Sequence, residues 1–367
     1  MVLLFHFAKG AIPTGWFERL VVQALNYGSL GVDLFFALSG FLITGILYDS
    51  HAEPSYFRSF YMRRALRIFP LYYGVLAIVF FVVPLVPALQ GTELASLGRF
   101  QSWAWLYGVN VYLSLQGGWV MSYLTHFWSL AVEEHFYLFW PLVVWALARR
   151  PQRLLQVAAG LAAASFVARQ AAALAGVNLV ALTVFTPFQL DALCLGGFFA
   201  VVMRQPGGAE KVRRAVLPLA VVPALVIVGL WLANNVTDTL RMATSPLRSG
   251  MLRLLLVALL LRALTARDGA ADARFFRSGF MRFLGKYSYG IYVYHHFLSY
   301  YAATTHTLPR LTETVGSLLL ALVIQEGVGI ALSIAIAWLS YELFEKHFLR
   351  LKRFWPSSRE PVAVPSR

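Results

Sequence analysis

The chain contains one cysteine, Cys194, among 367 residues. That excludes an intramolecular disulfide framework and a cysteine-based metal site. Charge is scarce too: Asp, Glu, Lys and Arg make up 13% of the chain, about half the share carried by a soluble domain. No Gly-rich nucleotide loop and no Gly-x-Ser-x-Gly elbow occurs, so neither phosphate-cradling nor hydrolase-elbow chemistry has a local signature. There is no visible internal repeat and no soluble appended domain. No His/Glu spacing forms a zinc set, so no metal is expected.

Apolar residues are abundant instead, at 59% of the chain. They fall in runs near the roughly 20 residues that cross a bilayer core: 28–48, 67–87, 128–148, 154–175, 188–203, 214–233, 249–264, 287–303 and 316–341. The segment from Met1 to Ala8 is apolar but too short to span, and without a charged start it is no signal peptide. It reads as the end of a further span. The net charge of +14 sits in basic clusters between apolar runs, as the positive-inside rule predicts. The excess of base therefore points to a bilayer and not to nucleic acid. The clusters are Arg58 to Arg67, Arg149 to Arg153, Arg204 to Arg214, Arg262 to Lys286 and Arg350 to Arg353.

A weaker aromatic segment lies at 101–116. If it does not cross, all five clusters share one face; if it crosses, those after it change sides. The expected fold is therefore an all-α integral membrane protein with about ten transmembrane helices, the first shortened. Segment 101–116 is then re-entrant or interfacial. Both termini lie in the cytoplasm. Residues 1–355 form one transmembrane domain, and 356–367, rich in Pro and Ser, form a disordered tail.

Polar residues inside apolar runs mark the candidate chemistry, because a charge at mid-bilayer costs about 2.5–3.5 kcal/mol even on lenient scales. Glu133 and Glu134 lie within one run, and adjacent helical residues point about 100° apart, so both cannot face one cavity. His6 is either a general base or a histidine at a helix end. Arg64 and Arg67 share a helix face and either fork a phosphate or anchor the helix at the membrane surface. Asp33 reads as a helix-contact residue beside Ser39 and Gly40. Asp191, His295 and Glu345 are intramembrane polar sites without an evident role. Trp103, Trp105, Tyr107 and Trp119 either stack on sugar rings or form an interfacial belt.

Five blocks in this order resemble the acyltransferase-3 family of integral membrane O-acyltransferases. They are Gly28 to Ile43, Phe60 to Tyr73 with its Arg-x-x-Arg, His126 to Tyr137, Leu284 to His295, and Ser340 to Glu345. The resemblance implies that His6 is the catalytic histidine, that Arg64 and Arg67 meet the acyl-CoA donor, and that Glu133 is the functional buried glutamate. A basic residue that the family carries about ten positions before its histidine has no counterpart here. The implied activity is acyl transfer, of acetyl by first expectation, from cytoplasmic acyl-CoA to a hydroxyl of an extracytoplasmic sugar or polysaccharide at a bacterial inner membrane. The alternative is a transporter without covalent chemistry, whose inverted repeats and broken helices are not seen.

Overall fold

The computed structural model describes residues 1–233 and 238–355, with the side chains of 238–243 left aside. The expected tail and part of the 234–248 loop lie outside the described residues. Every regular element among the described residues is helical. In chain order these are α1 (Val2–Phe7), α2 (Trp16–Asn26), α3 (Gly31–Ser50), α4 (Tyr56–Ala77), α5 (Gln101–Trp105) and α6 (Val109–Gln116). Then come α7 (Trp128–Leu147), α8 (Pro151–Leu174), α9 (Leu179–Val184), α10 (Leu190–Met203), α11 (Gly208–Ala233) and α12 (Asp238–Leu264). The chain closes with α13 (Ala271–Phe276), α14 (Gly279–Thr304), α15 (Thr307–Val315), α16 (Leu318–Ser340) and α17 (Lys346–Arg350).

Six helical stretches among the described residues are long and apolar enough to cross a membrane: Trp16–Ser50, Tyr56–Leu85, Ser122–Leu147, Pro151–Leu174, Gly208–Ala233 and Leu318–Phe354. That is fewer than the ten crossings expected, for a physical reason. Helix α10 has only 14 residues. Helices α12 and α14 have the length, at 27 and 26 residues, but carry Arg253, His295 and His296, all turned inward and buried. Segment 101–116 divides into α5 and α6, of 5 and 8 residues, and neither is long enough to cross. Helix α4 runs through Pro70 unbroken.

Helices α3 and α10 lie backbone to backbone. A Cβ on Gly40 would fall on the Leu193 carbonyl, and one on Gly196 on the Ala37 carbonyl. Small residues thus permit the close approach that replaces a hydrophobic drive inside lipid. Trp140, on α7, donates its indole N–H to Thr44 on α3 at 2.7 Å.

The helices share a polarity that organises the rest. Asp33, His126, Asp191 and Arg253 gather at one end of the bundle, around a single cavity or its ion pairs. From there α3, α10 and α12 run roughly 14–24 Å, at 1.5 Å per residue, to Asp49, Arg204 and Arg262. The far end is tied by Arg204 to Asp49 at 2.7 Å, Arg63 to the Trp355 carbonyl at 3.2 Å, and Lys286 to Glu342 at 3.5 Å. The basic residues of several separate clusters therefore meet at the end opposite His6.

Candidate active site

Three helices bring four histidines together. His6 ends α1, His126 precedes α7, and His295 and His296 lie in the second half of α14. His295 is fully buried, and His126 and His296 nearly so. Ring centroids are 4.9 Å apart for His6 with both His295 and His296, and 4.5 Å for His126 with His296.

Backbone carbonyls fix the protons on these rings. A carbonyl only accepts, so the ring nitrogen facing it carries the hydrogen. His295 donates from Nδ1 to the Tyr292 carbonyl at 2.6 Å. Its Nε2 is then a bare acceptor, 3.0 Å from His6 Nδ1. His6 must donate from Nδ1, which leaves its own Nε2 unprotonated. His126 donates from Nε2 to the Val293 carbonyl at 3.1 Å, and His296 from Nε2 to the Ser122 carbonyl at 3.2 Å. The Nδ1 atoms of His126 and His296 are buried without a partner.

His6, His126 and His296 form one wall of a cavity of about 510 Å³, a size typical of small-molecule sites. Asp33, Arg169 and Arg253 border it as well. Arg253 holds Asp33 at 2.7 Å and Asp191 at 2.5 Å, and Arg169 holds Asp191 at 2.9 Å. Two cations and two anions thus compensate one another away from water, the condition under which buried charge is tolerated. Trp119 borders the cavity. The other three aromatics considered for sugar stacking are used in packing: Trp105 stacks on Tyr73, Tyr107 on Tyr72, and Trp103 tilts against Tyr112.

Glu133 does not touch the histidines. Its Oε1 accepts from Ser39 at 2.5 Å and from Tyr137, and the Arg64 guanidinium lies 5.2 Å above the Tyr137 ring. Glu134 points elsewhere, with one buried oxygen lacking a partner. The two adjacent carboxylates therefore diverge as helical geometry requires. Arg67 sits 5.9 Å from the Tyr289 ring and reaches the Lys286 carbonyl at 3.5 Å. Glu345 closes a π-helical turn, Tyr341–Glu345, and accepts from Ser340 at 3.3 Å. Arg64, Arg67 and Glu345 thus belong to the arginine end, and His6, Asp33, Asp191 and His295 to the histidine end, with Glu133 on α7 between them.

A family model described as an acyltransferase domain matches residues 1–342. The chain belongs to the acyltransferase-3 family. It is 28% identical to the peptidoglycan O-acetyltransferase OatA of Listeria monocytogenes over 333 residues, covering 87% of this chain and 51% of that protein. It is 36% identical over 124 residues to the putative peptidoglycan O-acetyltransferase YrhL of Bacillus subtilis, 32% of this chain and 19% of that one. Against the O-acetyltransferase OatA of Staphylococcus aureus the figure is 33% over 147 residues, 38% of this chain and 24% of the relative. The chain spans about half the length of the Listeria relative. No solved structure matches it significantly.

Sequence reasoning did not single out His126, Arg169 or Arg253. Arg169 and Arg253 carried a signal: each is an arginine inside an apolar stretch, Arg169 the only one in its run, which calls for a buried anion. His126 stood in a recognised block and gave no further sign, because its neighbours come from residues far away in the chain.

Proposed function

We propose that this protein is a membrane-embedded O-acyltransferase that moves an acyl group, acetyl in the first instance, from cytoplasmic acyl-CoA to a hydroxyl of an extracytoplasmic polysaccharide. Peptidoglycan is the first acceptor to test, because it stands in the names of the relatives. The observation that carries the proposal is His6: one ring nitrogen is held by His295 and the other is left unprotonated at the wall of the cavity.

In this reading Arg64 and Arg67 bind the phosphates of acyl-CoA by charge-assisted hydrogen bonds, and the acyl arm passes along α7 and α14 toward the cavity. His6 Nε2 takes the proton of the acceptor hydroxyl as its oxygen attacks the thioester carbonyl. The C–S bond breaks, the acyl carbon is now bonded to the acceptor oxygen, and the thiolate leaves with the proton returned from His6. His295 holds His6 in the tautomer that leaves Nε2 free. Glu133, which feels the opposite charge of Arg64 and accepts from Ser39, orders the route between the two ends and acts as a positioning residue.

For topology, α10, α12 and α14 cross along with the six apolar stretches, with 101–116 not crossing. The C-terminal end of the described chain and the arginine end then face the cytoplasm of a bacterial inner membrane, and the histidine end faces outward. The collection of basic clusters at one end supports this orientation.

The test is transfer of labelled acetyl from acetyl-CoA to peptidoglycan in membranes carrying the protein, with His6→Ala beside it. Label in glycan that disappears in His6→Ala is the expected result. Equal labelling by the variant would overturn the role of His6, and transfer without dependence on this chain would overturn the activity.

A further inference from the structure

We infer that the histidine cluster is a transition-metal site, with His6, His295 and His296 as ligands for a zinc-class divalent cation. One ring nitrogen from each of the three lies within 4.8 Å of the other two. His6 Nδ1 and His295 Nε2 are 3.0 Å apart, close to the roughly 3.3 Å between ligands in a tetrahedral site with bonds of about 2.0–2.1 Å.

The outer contacts match as well. His295 and His296 each donate one ring N–H to a backbone carbonyl, Tyr292 and Ser122. That is the usual support of a metal-bound imidazole, since it fixes the ring and leaves the other nitrogen as a lone pair. The nitrogen His296 has to give is Nδ1, which is buried and unpartnered. A buried acceptor left without a partner costs about 1–3 kcal/mol, and a bound cation would satisfy it. The fourth position opens to the cavity that His6 and His296 line.

The donor set selects the ion. Three imidazoles and no carboxylate suit zinc, cobalt, nickel or copper, whereas magnesium and calcium require oxygen ligands. Lys9 borders the same cavity, so an ion must bind there by nitrogen ligation and not by general negative potential. A consequence, which rests on the acyl-transfer reading, is inhibition: to ligate an ion through Nδ1, His6 must carry its proton on Nε2, the nitrogen that otherwise serves as base.

The experiment uses the full chain in lipid nanodiscs, free of any histidine tag and stripped with chelator, titrated with Co²⁺ and followed by the ligand-field bands of a tetrahedral ion. One Co²⁺ per chain is expected, displaced by Zn²⁺ and untouched by excess Ca²⁺. His295→Gln and His296→Gln should each weaken binding at least tenfold, the scale of a damaged metal shell, while His347→Gln, away from the cluster, leaves it intact. Circular dichroism identifies any variant that has lost its helices, and the second glutamine variant then decides. Absence of the bands, or bands that persist in a folded His296→Gln, would overturn the site. The readout needs neither donor nor acceptor, so it stands apart from any failure to observe acyl transfer.

Discussion

His295 Nε2 lies 3.0 Å from His6 Nδ1, across 289 residues of sequence. A histidine that acts as a base is commonly oriented by a carboxylate; the partner of His6 is instead a second imidazole, itself fixed by the Tyr292 carbonyl. The pairing sets the tautomer of His6 without adding negative charge to a buried pocket.

Removing that partner should therefore lower turnover without weakening donor binding. His295→Ala is expected to reduce kcat for acetyl transfer by on the order of 100-fold, within the range of general-base effects. The KM for acetyl-CoA should stay near wild type, because Arg64 and Arg67 lie at the other end. Steady-state kinetics in nanodiscs checks the split. A rise in KM alone would remove His295 from the positioning role.

The arginine end makes the complementary prediction. Arg64→Ala and Arg67→Ala should each raise KM for acetyl-CoA by roughly tenfold or more, since a hydrogen bond to a charged group contributes about 1.5–3 kcal/mol. Arg64→Lys should recover only part of this, because an ammonium cannot present a planar fork. Direct binding of coenzyme A by calorimetry gives the same comparison without turnover.

Arg253 bridges Asp33 and Asp191. Arg253→Ala leaves Asp33 without its ion-pair partner, while Arg169 still holds Asp191. Breaking a buried pair costs about 3–5 kcal/mol, and the surviving pair puts this variant near the lower figure. A fall in thermal midpoint in detergent is expected, and Asp33→Asn in the same background should recover part of it.

The topology can be tested with the chain's own composition. Cys194 is fully buried, so membrane-impermeant thiol reagents meet little background. A cysteine in place of Arg150 should label only after the membrane is opened, and one in place of Gly176, at the other end of α8, should label in intact cells. The reverse pattern would turn the arginine end outward and remove its access to cytoplasmic acyl-CoA.

Much of this was legible in the chain because lipid makes polar residues conspicuous. Glu133, His6, Asp33, Asp191 and His295 each stood out against apolar neighbours, and the divergence of Glu133 from Glu134 followed from helical geometry alone. The number of crossings was less readable: 249–264 and 287–303 read as spans, yet α12 and α14 carry the buried Arg253, His295 and His296 and fall outside the six stretches apolar enough to cross. What pairs with what was not readable at all. Glu133 stands out as the functional glutamate, but nothing in the sequence names its partners, Ser39 and Tyr137. The histidine clasp instead joins residues 6 and 295, and no local pattern reports a contact across that separation.

Helix α14 carries Lys286 at the arginine end and His295 nine positions on, so the helical rise acts as a ruler of about 14 Å between the two ends. One residue inserted between them would turn His295 by about 100° away from His6. Four would return it near its original face but push it about 6 Å further along the axis. The spacing between Lys286 at one end and the partner of His6 at the other is thus a quantised property of one helix, adjustable by neither loop length nor side-chain choice.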